Sequence, residues 1–329
     1  MLTTHFRNEI AVSSMETCRY LRMQKVRASK LTANFQADWI AQLRSRLINQ
    51  GWSAVEVASL DDRDVPVRYF EALRRRIAAV PRALEIADDF SCPPEHQAGW
   101  KALQEEVRRG DDLNRRLSKR HASLVNPDGL LAEWGVHHFH LGVVPDLNDP
   151  AYIERTGPLL YAMVRDRTFF AINVYTHQSF EDIGILESIH RNWPETIRQY
   201  RARGVTGGVW SKEEKRALRS NNGNVCIATA DGTVYMPISG GVMASGVNAE
   251  ALRCADYWQI RIQQIQADFE RRIDEVLPAL RQRGFSAEDE IEAVLKLSDT
   301  GMGGMGVFFP KYGVLATLTL VEGGKSSCA

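Results

Sequence analysis

Three histidines lie within four consecutive positions of the sequence, at His137, His138 and His140. Side chains alternate between the two faces of a β-strand, so a strand over residues 136–141 would place His138 and His140 on one face about 7 Å apart. Histidine ionises near pH 6.5, so one imidazole can accept a proton while another donates one at neutral pH. This spacing is typical of general acid–base chemistry.

A second polar strand face is predicted a short distance along the chain, in the segment that ends at His177. Alternation places Asn173, Tyr175 and His177 together, with an apolar face behind them formed by Phe170, Ile172 and Val174. If the two strands are neighbours, this polar face meets His138 and His140 across the sheet. The sequence therefore predicts that imidazoles from two β-segments converge on one pocket.

Metal-independent cleavage of RNA is the reaction that such a pocket suits best. One group must take the proton of the 2′-hydroxyl and another must give a proton to the departing 5′-oxygen. We assign the first role to His138 or His140 and the second to His177, with Tyr175 on the same face. Arg155 lies on the connecting segment, where its guanidinium can hold a phosphate through two parallel hydrogen bonds.

Three other interpretations use the same residues. In the first, the imidazoles of His138, His140 and His177 bind zinc and leave a fourth position for water, which would make the protein a zinc-dependent hydrolase. In the second, the histidines are structural and hydrogen-bond to backbone or water. In the third, the protein is a non-catalytic interaction or regulatory protein. The first interpretation departs from the usual zinc-protease pattern, because no H-E-x-x-H motif is present.

The elements that would position these residues indicate an α+β fold in three regions. Apolar residues recur at helical spacing through residues 35–120, so region 1–125 is predicted to be helical. Region 126–205 is predicted to be the histidine-bearing antiparallel sheet domain, a strand and then a hairpin over residues 159–177, with flanking helices. We expect the run from Arg74 to Arg76 to lie on a solvated helix surface.

The third predicted region, 206–329, combines a hairpin with a long helix. Asp231 and Gly232 form a strong two-residue hairpin turn between strand-like segments. A glycine-rich loop, residues 240–246, precedes a helix predicted over residues 248–283, and its amides are candidates for phosphate binding, although a plain connection is the favoured interpretation. The G-x-G-x-x-G run at 301–306 lacks the strand-to-helix context of a dinucleotide loop, so no cofactor is predicted.

The long helix of residues 248–283 carries one narrow apolar stripe, with members at Trp258, Ile262, Ile265, Phe269, Val276 and Leu280. A stripe of this kind either packs within its own chain or pairs with a partner. We favour packing within the chain and keep a homo-oligomer or a partner protein as the alternative.

The histidine-bearing region resembles a group of uncharacterised bacterial proteins. The segments that carry the resemblance are DGLLAEWGVHHFHLG, RTGPLLYAMV and YTHQSFEDIGILESIHRNWPE, and it covers about residues 85–200. The order of helices, strand, hairpin and helix is also similar in topology to small toxin endoribonucleases of the RelE type. This likeness implies a toxin-like or phage-defence-like endoribonuclease with RNA as substrate.

Composition limits the remaining function classes. Lys plus Arg and Asp plus Glu number 41 each, so no overall positive field attracts nucleic acid, and RNA would be held by a local patch. No apolar run is long enough for a membrane helix and the N-terminus lacks a secretory pattern, so we expect a cytoplasmic protein with no membrane partner. The five cysteines are scattered, which predicts free thiols.

Overall fold

The computed structural model describes residues 3–5, 31–126, 128–176, 182–208, 210–298, 302 and 304–318. Its helices are α1 (Phe35–Asn49), α2 (Ala54–Ser59), α3 (Val65–Arg75), α4 (Gln97–Arg109), α5 (Gly129–Trp134), α6 (Gly184–Asn192), α7 (Pro194–Ile197), α8 (Lys212–Ser220), α9 (Ala249–Arg271) and α10 (Leu277–Arg281). Its strands are β1 (Thr3–His5), β2 (Leu31–Ala33), β3 (Ala83–Ile86), β4 (Val136–His140), β5 (Leu159–Val164), β6 (Thr168–Tyr175), β7 (Ile227–Ala228), β8 (Val234–Tyr235), β9 (Ile291–Leu297), β10 (Met305–Phe309) and β11 (Val314–Leu318). The predicted α+β class is confirmed.

Two compact units divide the chain, with boundaries that differ from the three predicted regions. The first unit comprises residues 1–51, 60–66 and 254–329, and the second comprises residues 52–59 and 67–253. Both ends of the chain belong to the first unit because strands near the N-terminus pair with strands near the C-terminus. Local sequence patterns carry no signal for such distant pairing.

The first unit contains a five-stranded sheet in the order β1-β11-β10-β9-β2. β2 pairs with only the start of β9, and side chains of α1 take over the pairing further along that strand. Asp38 accepts a hydrogen bond from the amide of Leu295, and Gln42 exchanges hydrogen bonds with Leu295 and Leu297. Helix α1 therefore satisfies backbone groups that would otherwise stay unpaired.

The second unit contains a four-stranded sheet in the order β3-β6-β5-β4. β4, β5 and β6 are antiparallel, as predicted, whereas β3 pairs parallel with β6. Both faces of this sheet are covered by apolar clusters, one containing Trp134 and Tyr161 and the other containing Trp100 and Phe139. The prediction of an all-helical region up to residue 120 is wrong at β3, a four-residue strand too short to show a period of its own.

The predicted long helix is shorter in the structure and ends at Arg271. A 3₁₀ turn, Ile273–Glu275, separates it from α10, where Pro278 occupies the first turn. Proline lacks an amide hydrogen, which a first turn does not need but a helix interior does. All six residues of the predicted stripe are buried within the chain. This supports packing within the chain, and pairing with a partner stays a prediction.

Cys254 is disulfide-bonded, so the expectation of free thiols is wrong for this residue, whereas Cys92 and Cys226 are free. In the part of the chain that the structure describes, no helix combines the length and apolar content needed to cross a bilayer.

A buried ion pair fixes the connection that follows β4. Arg116 is 1% exposed and donates to both carboxylate oxygens of Glu106, at 2.5 and 2.7 Å. Its third nitrogen donates to the carbonyls of His140 and Gly142, both at 3.1 Å. The end of β4 is thereby held against α4.

Replacing Arg116 is expected to destabilise the second unit strongly. Arg116→Met leaves the Glu106 carboxylate and two carbonyls without their donor, so we expect the free energy of unfolding to fall by about 3 kcal/mol. Urea denaturation followed by circular dichroism measures this change. The matched control is Arg109→Met, whose pair with Asp111 is exposed and is expected to contribute less than about 1 kcal/mol. Equal losses in the two variants would contradict the structural role of Arg116.

Candidate functional site

The histidine strand β4 follows directly from helix α5. Asp128 caps the start of this helix by accepting a hydrogen bond from the amide of Leu131 at 3.0 Å. Gly135 ends the helix in the left-handed region, with φ of 64°, which favours glycine and turns the chain into β4. The orientation of the histidines is thus set by the two ends of a six-residue helix.

The structure brings three of the predicted site residues to one face of the sheet. His138 lies opposite Tyr161 of β5, and His140 lies opposite Leu159, which in turn lies opposite Tyr175 of β6. The rings of Tyr161 and Tyr175 pack edge to face at 5.1 Å between centroids. His138, His140 and Tyr175 therefore share a face, as the alternation predicts.

The predicted separation of polar and apolar faces on β6 is wrong. A β-bulge changes the register between Tyr161 and Ala162, so that Asn173 and Ala171 of β6 oppose consecutive residues of β5. As a result, Ile172 and Tyr175 pack in the same apolar cluster, whereas Val174 packs on the opposite side. Strict alternation fails here because a bulge places one extra residue in the strand.

His138 and His140 are buried rather than open to water, at 9% and 5% exposed. The Nδ1 atom of His140 accepts a hydrogen bond from the amide of Thr156 at 2.9 Å. Tyr175 is half-buried, and burial together with the nearby charges of Asp89 and Asp182 raises its pKa to about 12. The phenol stays protonated at neutral pH and can donate but not accept a proton.

Arg155 and His177 complete the predicted set. The guanidinium of Arg155 donates to the carbonyls of Leu117 and Ile153, so it holds the loop after β4. Burial lowers the pKa of Arg155 from its ordinary value. His177 lies outside the described residues, and its assigned role as acid stays a prediction.

No group of three His, Cys, Asp or Glu side chains suited to a metal occurs among the described residues, so the zinc alternative also rests on His177.

A second cluster, which sequence reasoning did not select, lies on the other side of β4. His121 forms an ion pair with Asp128, with 3.5 Å between Nε2 and Oδ2. The ring of His137 lies 6.1 Å from that of His121. His137 is 5% exposed, and its Nδ1 has no hydrogen-bond partner among the described residues. We call His121, Asp128 and His137 the histidine–aspartate cluster.

Burial and charge set the protonation of this cluster. Burial lowers the pKa of His137 to about 3, and positive charge at His121 acts in the same direction. His137 is therefore neutral near pH 7. Burial opposes ionisation of Asp128, but the hydrogen bond from His121 and the charges of His138 and His121 prevail and hold its pKa well below the ordinary range. The cluster thus contains a carboxylate beside imidazoles, the combination used in many acid–base sites.

Asp128 also lines a small, partly open cleft, with enclosed space for about one water molecule. Three segments form its walls: α3, the start of α5, and the loop before α9. The lining residues are Glu71, Arg74, Arg75, Asp128, Leu131, Ala132, Val242, Gly246 and Asn248. We call this the arginine cleft.

The arginines of this cleft contradict the expectation of a solvated surface. Arg75 is 5% exposed and Arg74 is half-buried. Burial lowers the pKa of both guanidinium groups from the ordinary value, yet arginine stays protonated in proteins. Arg74 donates to the carbonyl and hydroxyl of Ser239, and Arg75 donates to the carbonyl of Ser123 at 2.7 Å. Neighbouring positions on one helix turn reach the same cleft because these side chains are long.

The glycine-rich loop does not form the phosphate loop considered from the sequence. The amide of Gly241 donates to the carbonyl of Ala132, and that of Met243 donates to Val247. The amide of Val242 donates to Asn224, and that of Asn248 donates to Glu71. These donors are used within the protein, which supports the interpretation as a connecting loop.

The chain matches no protein-family model, no curated protein and no solved structure. The geometry of the second unit is therefore the basis for any functional inference.

One sequence signal could have pointed to the histidine–aspartate cluster. Asp128 precedes Gly129 and the apolar start of α5, and aspartate is a preferred helix cap. His121 lies seven residues before this cap. His137, whose side chain is predicted on the opposite face from His138 and His140, lies after it. The three side chains come together because the chain changes direction at α5, and local sequence patterns do not predict that change of direction.

The low pKa of His137 predicts a loss of stability in mild acid. Its folded pKa of about 3 lies below the ordinary value near 6.5, so the unfolded chain takes up a proton first as pH falls. This contribution to stability is complete above pH 6.5 and is lost as pH falls towards 3. We expect the free energy of unfolding to drop by about 2 kcal/mol between pH 6 and 4.5 through this residue.

Urea denaturation of wild type and His137→Phe across this range measures the effect. The variant is expected to show a shallower dependence on pH below 6.5 and the same dependence as wild type between pH 7 and 8. A wild-type slope retained in the variant would show that His137 is not the titrating group.

Proposed function

We propose that this protein cleaves RNA phosphodiesters without a metal ion, and that the arginine cleft with the histidine–aspartate cluster is its active site. The observation that carries the proposal is the position of Asp128, which lines the cleft beside Arg74 and Arg75 and pairs with His121. The proposal keeps the reaction expected from the sequence and assigns it to different residues.

The guanidinium of Arg74 is the group of the cleft that favours an anionic substrate. The charged lining residues are two arginines, Arg74 and Arg75, and two carboxylates, Glu71 and Asp128. Glu71 pairs with Arg68 at 2.6 Å and lies 3.9 Å from Arg75. Arg74 donates to the neutral Ser239, and a half-buried guanidinium gains from pairing with an anion such as a phosphodiester.

Acid–base chemistry is supplied by the Asp128–His121 pair. Cleavage of RNA by its own 2′-hydroxyl needs a proton acceptor and a proton donor but no external nucleophile. Asp128 pairs with His121 and orients its ring, as carboxylates do in histidine-based sites. Arg74 and Arg75 stabilise the added charge of the phosphorane, because a fixed cation in a low-dielectric site is preorganised for it.

His137 lies next to this pair. Its ring centroid is 6.1 Å from that of His121, and burial keeps it neutral near pH 7, so it adds no positive charge beside His121.

Asp128→Asn tests the proposal. Asparagine is as good a helix cap as aspartate, so α5 is expected to remain while the negative charge beside His121 is lost. We expect the rate of cleavage of a fluorogenic RNA oligonucleotide to fall by about 100-fold or more, and wild-type cleavage to persist in excess EDTA.

Asp231→Asn is the matched control. Asp231 forms another histidine–aspartate pair of the same unit, 3.0 Å from Nε2 of His190, and is not among the residues that line the arginine cleft. We expect this variant to cleave RNA at the wild-type rate. Cleavage abolished by EDTA, equal loss in both variants, or no cleavage by folded wild type would each refute the proposal.

A further inference from the structure

Strand β3 forms an edge of the four-stranded sheet of the second unit. It is the first strand in the order β3-β6-β5-β4, and it pairs parallel with β6. The amide of Ala83 donates to the carbonyl of Arg167 at 2.8 Å. The amide of Ala87 donates to the carbonyl of Ala171 at 3.0 Å. Every second residue of β3, starting from Ala83, therefore directs its backbone groups towards β6.

Leu84 and Ile86 direct their amides and carbonyls away from β6, along the open edge of the sheet. No hydrogen bond to any of these groups occurs in the part of the chain that the structure describes. Ile86 is 46% exposed and Leu84 is partly buried, so the edge can be reached from solvent. A row of unpaired backbone groups of this kind is a template for an added strand.

Glu85 disfavours a second copy of the chain as the added strand. The antiparallel register that uses every outward group places Leu84 opposite Ile86 of the second copy, and Glu85 then faces Glu85. Residues opposite each other at such a position lie about 4.5 Å apart between Cα atoms, and like charges there destabilise the pair. Glu85 is exposed and forms no ion pair with any residue of the described ranges. A cation opposite Glu85 is therefore favoured.

Registers shifted to either side offer a second copy fewer hydrogen bonds. They bring Arg82 or Asp88 into the ladder, and the amides of both residues are already used. The amide of Arg82 donates to the carbonyl of Val107 at 3.0 Å. The amide of Asp88 donates to the side chain of Asn192 at 3.0 Å. The edge of β3 is therefore better suited to a different sequence than to its own.

The charges beside the two ends of β3 favour an antiparallel direction for the added strand. The exposed link of residues 165–167 carries two arginines and one aspartate, and it lies beside the start of β3. Asp88 and Asp89 follow the end of β3, where both pair with Arg191 and leave one negative charge in excess. An antiparallel peptide places its N-terminal amine beside these aspartates and its C-terminal carboxylate beside the arginines. Both of its terminal charges are then complementary to the protein.

We propose that the edge of β3 binds an extended, basic peptide segment of a partner protein, which joins the sheet as an antiparallel strand with a lysine or arginine opposite Glu85. Apolar residues on either side of this cation lie opposite Leu84 and Ile86 and pack beside them. Backbone hydrogen bonds provide affinity, and the cation provides specificity. No residue of β3 lines the arginine cleft, so this inference is independent of RNA cleavage.

A seven-residue peptide with free termini, Lys-Thr-Val-Lys-Val-Thr-Glu, is the probe. Its central lysine lies opposite Glu85 in the proposed register, and the control peptide carries glutamate at that position. Fluorescence anisotropy of the labelled peptides measures their binding to the full-length protein. We expect the lysine peptide to bind at least about 5-fold more tightly, because the cross-strand pair changes from repulsion to attraction. We also expect the lysine peptide to slow hydrogen exchange of the amides of Leu84 and Ile86.

Glu85→Lys tests the charge at the centre of the edge. This exposed substitution is expected to leave the fold intact and to reverse the preference, so that the glutamate peptide binds at least about 5-fold more tightly than the lysine peptide. An unchanged preference for the lysine peptide would overturn the assigned register.

Ile86→Pro tests the backbone of the edge. Proline lacks the amide hydrogen that points outwards and is tolerated on an edge strand, so we expect binding of the lysine peptide to weaken by about 10-fold. Ile86→Val, which keeps the amide, is the matched control and is expected to bind as wild type does. Equal affinities of the two variants, with thermal unfolding unchanged, would overturn binding at β3.

Two further outcomes would overturn the proposal. One is the absence of binding of the lysine peptide to folded wild type at concentrations up to about 1 mM. The other is a wild-type dimer in sedimentation experiments that Ile86→Pro abolishes, because a second copy would then be the strand that occupies this edge. If Ile86→Pro does not fold, the charge reversal in Glu85→Lys decides between binding at this edge and binding elsewhere.

Discussion

The carboxylate of Asp128 connects the local structure of the second unit with its candidate chemistry. One oxygen caps α5 through the amide of Leu131, and the other pairs with His121. An ionised carboxylate in a buried place is costly unless hydrogen bonds and opposite charges compensate it. Asp128 has both, which lowers its pKa and keeps it ionised at neutral pH. The helix cap and the polar cluster therefore depend on the same side chain.

The surroundings of Asp128 are organised before any ligand arrives. Glu71 accepts from Arg68 and from the backbone of Asn248, so the helix that carries the arginines is tied to the start of α9. Asn248 caps α9 through the amide of Ala251 and also fastens the loop before it. Each of these contacts is an ordinary structural device, a cap or an ion pair. Together they hold two guanidinium groups and a carboxylate in a cleft, and such fixed geometry is what acid–base catalysis requires.

Much of the second unit could be predicted from local pattern. The strand of His137 to His140, the hairpin over residues 159–175 and the turn at Asp231 and Gly232 appear where alternation and turn residues indicate them. The residues that specify these elements are close together in the chain, so the elements can be recognised from local sequence patterns. The bulge opposite Tyr161 was not predicted, because it depends on how β6 fits its neighbour and changes which side chains share a face.

The candidate site was harder to predict than the strands that support it. The pattern identified β4 and the shared face of His138 and His140, since alternation is a property of any strand. It assigned Arg74 to Arg76 to solvent, because charged runs are usually exposed, yet Arg75 is almost fully buried. The pairing of His121 with Asp128, which both precede α5, was also missed, because residues seven apart in the chain meet only once the turn between them is fixed.

By itself, the sequence determined the α+β class, the main strands of the central sheet and the presence of a histidine-rich strand, because propensity and periodicity act over a few residues. Only the tertiary structure decided the pairing of the two chain ends, the parallel β3 and the arginine cleft. These depend on contacts between residues far apart in the chain, as between Glu71 and Asn248. Exposed charged groups keep their hydration, whereas buried ones need hydrogen bonds or opposite charges. Asp128 and its neighbours have such partners, and they form the candidate site.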